Sequence, residues 1–277
     1  MDSRTNLTSH FRPVWAYSVL AAASLAAAPV GAQPSSEELA KKLSNPVAAL
    51  ISVPIQVNYD DEIGKAELGK KWTINVQPVI PIEINTHWNV ISRTIVPLVS
   101  QTDIFAGSGR QSGLGDVVQS LFFSPKAPTA GGWIWGAGPV FLLPTGTDDL
   151  LSGGKWGAGP TAVVLRQKDG WTFGALGNHI WSFAGDSARS PISATFVQPF
   201  VSFTTKTATT YGLNTESTYD WKSSRWTVPL NVSVSQVLKV GDQLISVGGG
   251  LRYWAQAPDS APSGWGARVV VTLLFPK

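Results

Sequence analysis

The chain has 277 residues, a formal net charge of +3, no Cys, 12 Trp, 27 Gly and 19 Pro, and only 14% of its residues are charged. The lack of Cys excludes a disulfide framework, a thiolate metal site and a cysteine nucleophile. The chain is too apolar and too sparsely charged for disorder, and no stretch is basic enough to track nucleic acid.

Residues 1–32 read as a secretory signal peptide. Arg4, His10 and Arg12 precede an apolar run from Val14 to Val30, and Val30-Gly31-Ala32 supplies small residues for cleavage near Ala32. The competing reading is an uncleaved membrane anchor. The longest later uncharged stretch, between Lys126 and Asp148, contains Pro128, Pro139 and Pro144 and cannot run as one helix. An exported chain of this kind is either free outside the cytoplasm or enters a membrane as strands.

Residues 33–50 form an N-terminal segment with one predicted helix over 35–44. Ser35 and Glu38 have capping-box spacing, Leu39 and Leu43 share a face, and Asn45-Pro46 stops the helix. Two roles are open: a short amphipathic lead-in, or a periplasmic cap or plug.

From Ile51 the hydrophobic period is two. Ile51, Val53, Ile55, Val57 and Tyr59 alternate with Ser52, Gln56, Asn58 and Asp60. The same alternation runs through 72–84, 226–235 and 265–275, whereas 114–124 and 172–183 leave their faces unassigned. About twelve strands are predicted, near 51–59, 71–84, 87–99, 114–124, 132–143, 157–167, 171–183, 192–204, 208–218, 226–238, 243–254 and 265–275. Their connections alternate between short turns and longer Gly/Ser/Asp-rich loops, as in outer-membrane barrels. The fold class expected for 51–277 is all-β, an up-and-down antiparallel transmembrane β-barrel of about twelve strands behind a short N-terminal helix.

A soluble barrel would put the apolar face inside, and three features favour a membrane. Trp72, Trp156, Trp181, Trp226, Trp254 and Trp265 fall near the long-loop end, and Trp88, Trp133, Trp135 and Trp171 near the short-turn end, giving two interfacial belts. The strands are long enough for a tilted span. The polar faces carry mid-strand charge, tolerable in a wet lumen. Asn75, Glu83, Arg93, Glu216, Asn231, Ser233, Arg252 and Arg268 are the candidate pore-lining residues. The alternative is that these Arg and Glu pair across the lumen and stiffen the barrel.

Catalytic and metal patterns are weak. A Ser–His hydrolase would use His87 or His179, yet the residues two positions on are Asn89 and Trp181, and Ser182 faces away from His179. Asp60-Asp61-Glu62 and Asp148-Asp149 read as solvated loop charge rather than a Ca²⁺ site. Gly153-Gly154-Lys155 lacks the spacing of a phosphate loop. No catalytic residue, metal or cofactor is expected.

Several segments are recognisable together: Gly113-Leu114-Gly115-Asp116 through Pro125, Gly138-Pro139-Val140-Phe141-Leu142-Leu143-Pro144-Thr145-Gly146, Asn178-His179-Ile180-Trp181 to Gly185, Gln198-Pro199-Phe200, Thr215-Glu216-Ser217-Thr218-Tyr219-Asp220-Trp221, and Gly264-Trp265-Gly266 to Pro276. They resemble the bacterial outer-membrane family named for a MetA pathway of phenol degradation, often labelled as transporters. The resemblance covers most of 38–277. It implies an outer-membrane barrel and uptake of small molecules, aromatic ones included, and supplies no binding residues. Pro276-Lys277 follow Phe275, a departure from the terminal aromatic usual in such barrels.

The expectation is therefore a porin-like channel in the bacterial outer membrane for passive uptake of small aromatic or hydrophobic molecules. Its partners would be outer-membrane lipid, a small-molecule solute and the barrel assembly machinery, with no nucleic acid. A non-transporting surface barrel and an outer-membrane lipid hydrolase are the alternatives.

Overall fold

The computed structural model describes residues 35–276, so the signal segment at 1–32 lies outside the described residues. Helix α1 (Ser36–Leu43) comes first, and its capping box is formed as the sequence predicts. Ser35 Oγ accepts from the Glu38 amide, and Glu38 Oε2 accepts from the Ser35 amide.

Twelve strands follow: β1 (Ile51–Ile63), β2 (Gly69–Val76 and Val79–Glu83), β3 (Trp88–Thr102), β4 (Arg110–Leu114 and Val117–Pro125), β5 (Trp133–Leu143), β6 (Lys155–Lys168), β7 (Trp171–Gly185), β8 (Ser193–Thr204), β9 (Thr209–Thr215 and Ser217–Asp220), β10 (Arg225–Val240), β11 (Gln243–Gln256) and β12 (Gly264–Phe275). β2, β4 and β9 are each interrupted once, at Gln77-Pro78, Gly115-Asp116 and Glu216. Pro78 has no amide proton for the ladder, which accounts for the break in β2.

Each strand pairs antiparallel with the next, and β1 pairs antiparallel with β12 from Ile51↔Phe275 to Asp60↔Gly266, which closes the barrel. Several strands run further toward the loops than the sequence indicates. β3 reaches Thr102, β4 begins at Arg110 and β1 continues to Ile63. Polar rim residues keep a paired backbone here, so polarity alone places these strand ends too early. The connections at the short-turn end are correspondingly tight at 169–170 and 241–242, while 144–154 is the longest at the other end.

The apolar face points outward. Ile80, Leu213, Leu230, Val232, Leu251 and Val269 are all exposed on the barrel wall. Aromatic pairs ring both ends of this wall: Tyr59–Trp72, Tyr219–Trp226 and Tyr253–Trp265 on the loop side, and Trp88–Trp135, Trp133–Phe173 and Trp171–Phe203 on the turn side. Trp265 is 63% exposed. An apolar band of this extent between aromatic girdles is the surface that hydrocarbon between two headgroup layers selects. Trp156 and Trp181 belong to the same exposed set. Trp254 departs from the sequence reading. It lies on the inner face with Arg252, two residues before it, and donates from Nε1 to Asp60 Oδ1 at 2.9 Å.

The inside divides into two halves. At the turn end it is a hydrophobic core. Leu39, fully buried, and Ala40 of α1 pack with Leu50, Ala208, Val237 and Leu274. Val47, in the segment after the helix, packs with Ile91, Phe122, Val163, Leu165 and Leu176. Gln167 Nε2 donates to the Lys41 carbonyl at 2.8 Å, tying the helix to the opposite wall. The helix and residues 44–50 thus pack among inward-facing residues of the wall. At the loop end the interior is polar and open.

Candidate functional site

The loop-end half of the lumen holds a cavity of about 670 Å³. One cross-strand row crosses its wall: Asn214, Asn231, Arg252, Gly266, Asp60, Lys71, Gln101 and Gln111 are successive register partners from β9 around through β12 and β1 to β4, and Asn214, Arg252, Asp60 and Lys71 among them line the cavity. The period of two turns every member of such a row toward the same side.

Two guanidiniums anchor the site. Arg252 Nη1 meets Asp60 Oδ2 at 3.1 Å, its Nε donates to Asn231 Oδ1 at 3.0 Å, and its Nη2 donates to Asn58 Oδ1 at 3.1 Å. Arg268 forms a fork on Glu216, with Nη1 to Oε1 at 3.0 Å and Nη2 to Oε2 at 2.7 Å, while its Nε donates to Asn58 Oδ1 at 2.8 Å. Glu216 Oε2 also takes Arg252 Nη2 at 3.3 Å, which joins the two pairs. The Arg252 guanidinium lies 5.2 Å from the Trp254 ring centroid. Arg252, Arg268 and Asp60 are all buried. A planar fork of Arg268 on Glu216, the contact of Arg252 Nη1 with Asp60, and donors placed on the amide oxygens of Asn58 and Asn231 make such burial tolerable.

The sequence candidates fall into three groups. Glu216, Asn231, Arg252 and Arg268 meet in this network. Asn75 and Arg93 line the same cavity, and Ser233 lines a smaller space of about 240 Å³ beside α1 together with Arg268. Glu83 sits apart at the turn-side rim, exposed and ion-paired with Lys126. Asp60 and Asn58 are central residues that the sequence reading missed. Asp60 was expected as solvated loop charge, yet it is only 4% exposed within β1. The signal was present, because Asn58 and Asp60 continue the polar parity of Ser52 and Gln56. Asp149, by contrast, is a loop residue paired with Arg189.

His179 faces outward against Trp181, with ring centroids 4.0 Å apart. Trp221 Nε1 donates to Thr195 Oγ1 at 2.8 Å, and Thr195 Oγ1 lies 2.7 Å from His179 Nδ1. On its other side His179 Nε2 lies 3.4 Å from Ser193 Oγ. His87 lies in the turn between β2 and β3, where its amide donates to Asn85 Oδ1.

Among solved structures, the chain is similar to the COG4313 outer membrane channel from Pseudomonas putida F1, at 12% identity and a TM-score of 0.65, covering 82% of this chain and 96% of that one. It superposes more loosely on outer membrane phospholipase A from Escherichia coli, at 8% identity, 81% and 90% coverage and a TM-score of 0.49. The NanC porin gives 10% identity, 82% and 100% coverage and a TM-score of 0.48. The first likeness establishes the barrel fold, and the other two carry no argument. No curated protein matches the sequence. Residues 69–253, which run from β2 into β11 and carry most of the wall just described, match the family "Putative MetA-pathway of phenol degradation", and the chain belongs to that family.

Proposed function

We propose that the protein is an outer-membrane channel for passive passage of small solutes. The observation that carries this reading is the sequence of spaces inside the closed wall. The cavity of about 670 Å³ shares lining residues with two smaller ones, of about 240 Å³ and 170 Å³, that flank α1. The polar residues therefore trace a route from the loop end past the helix to the turn end. The turn end is periplasmic and the loop end extracellular, by the usual asymmetry of such barrels, and residues 1–32 are removed on export. The similar fold of the Pseudomonas putida channel supports this reading. The lining and the apolar clusters around α1 suit small molecules, aromatic ones included.

The test is reconstitution. Proteoliposomes holding the purified protein should swell in isosmotic small solutes, and planar bilayers should show discrete conductance steps. Neither response above protein-free membranes would leave a surface barrel without transport as the reading.

A further inference from the structure

The large cavity meets the two lower spaces at different side chains. It shares Gln56 and Arg268 with one and Gln77, Arg93 and Gln198 with the other. An arginine therefore stands at each junction, and the two differ in how they are neutralised. Arg268 is gripped by both oxygens of Glu216. Arg93 donates from Nη2 to Gln77 Oε1 at 2.9 Å, and among the described residues it forms no ion pair.

Charge around the cavity follows the same division. Its wall carries Lys71, Arg93, Arg252 and Arg268 against Asp60 and Glu216. The two carboxylates make their direct ion pairs with Arg252 and Arg268; Asp60 also attracts Lys71 and Glu216 attracts Arg93 at longer range, so four cations face two carboxylates and the wall keeps an excess of positive charge. Lys71 pairs with Gln101 near the loop end of β3, whereas Arg93 lies deep on that strand. Lys42 of α1 lines the space below Arg93. Cations with no direct ion pair among the described residues thus succeed one another from mouth to floor.

A guanidinium with free donors beside two carboxamides recognises a carboxylate, by a planar fork and flanking hydrogen bonds. Next to it the same cavity is walled by Ile95, Val118, Leu176 and Phe196. We propose that Arg93, Gln77 and Gln198 form a carboxylate-selective site at the deep junction, for a small monocarboxylate with an apolar, ring-sized body. The carboxylate seats on Arg93, and the body lies on the Ile95–Phe196 side. The inference deepens the channel reading and rests on it for the idea of passage, although binding stands apart from flux.

The experiment separates the two. Radiolabelled benzoate and its neutral counterpart benzyl alcohol are equilibrated with the detergent-purified full chain. The reversal potential is then measured in planar bilayers between potassium chloride and potassium benzoate. Benzoate is expected to bind the wild type, about tenfold more weakly to Arg93→Gln, and at an intermediate level to Arg93→Lys, with benzyl alcohol unaffected. Arg93→Gln should also lose the benzoate permeability of the wild type. Heat-modifiable migration on gels checks the fold of each variant. If Arg93→Gln does not fold, Gln198→Leu and Arg93→Lys decide, and both should weaken benzoate selectively. Equal benzoate binding by wild type and variants, or an equal loss for benzyl alcohol, overturns the site. Arg93-dependent binding with no conductance overturns the channel and leaves the site standing. Conductance indifferent to Arg93 and to benzoate does the reverse.

Discussion

Arg252 and Asp60 occupy one cross-strand row with only Gly266 between them, and the guanidinium crosses the glycine to reach the carboxylate. A side chain at 266 would stand in that path. A Cβ there would come within 2.6 Å of Asp60 Oδ1 and 2.7 Å of the Tyr59 carbonyl. The glycine is required by this close approach, since its φ is not in the left-handed region.

Gly266→Ala should therefore displace Asp60 and loosen the pair. A loss of about 1–3 kcal/mol is expected from overpacking alone. Gly249→Ala is the control, because its nearest neighbour is the Arg268 carbonyl at 3.6 Å. The temperature at which the folded gel band converts to the unfolded one should fall for the first and hold for the second.

Glu216→Gln removes the carboxylate that both guanidiniums share. Breaking a buried pair from one side costs about 3–5 kcal/mol, so the midpoint of urea unfolding in lipid vesicles should drop. The cavity also gains net positive charge. Reversal potentials in a potassium chloride gradient should shift toward chloride, and an unchanged potential would remove Glu216 from the conducting path.

Val232 and Ser233 are neighbours in β10 on opposite faces. Val232 is 60% exposed on the wall, and Ser233 lines a lumenal space with Arg268. Val232→Arg should cost about 2–4 kcal/mol as a charge against hydrocarbon, whereas Ser233→Asp, beside Arg268, should fold into vesicles with wild-type yield. Similar yields for both would contradict the direction of the pleat.

Leu39 holds α1 in the lumen through its contacts with Leu50, Val237 and Leu274. Leu39→Asp buries a carboxylate in that cluster and removes a buried leucine, a change worth about 2–5 kcal/mol by truncation alone. The helix should detach while the wall stays closed. Single-channel conductance should rise, and an unaltered conductance would show that the helix does not restrict the route.

The wall was legible in the sequence because alternation is a local property. Every third-party contact that α1 makes was not. Val237, Leu244 and Leu274 are apolar residues on otherwise polar faces near the turn end, and they mark where α1 packs, but only when the faces are compared across strands. Trp254 was read as an interface residue from its position at a strand end. Its parity with Arg252 places it inside, a better guide than its distance from the loop. Asp60 was discounted because it begins an acidic run, although the strand passes through it to Ile63. The need for Gly266 has no local signal at all, since it arises from residues on two other strands.

The join between β1 and β12 brings the first strand of the wall against the last. Asp60 and Asn58 lie on one side of that seam, and Arg252 and Arg268 on the other. A partly assembled sheet therefore leaves two guanidiniums with Glu216 as their one carboxylate partner and without Asp60 and Asn58, and the excess positive charge resists transfer into lipid. Only after synthesis is complete can the ends meet and quench them, so the same bonds that shape the interior also act as a proofreading latch on insertion.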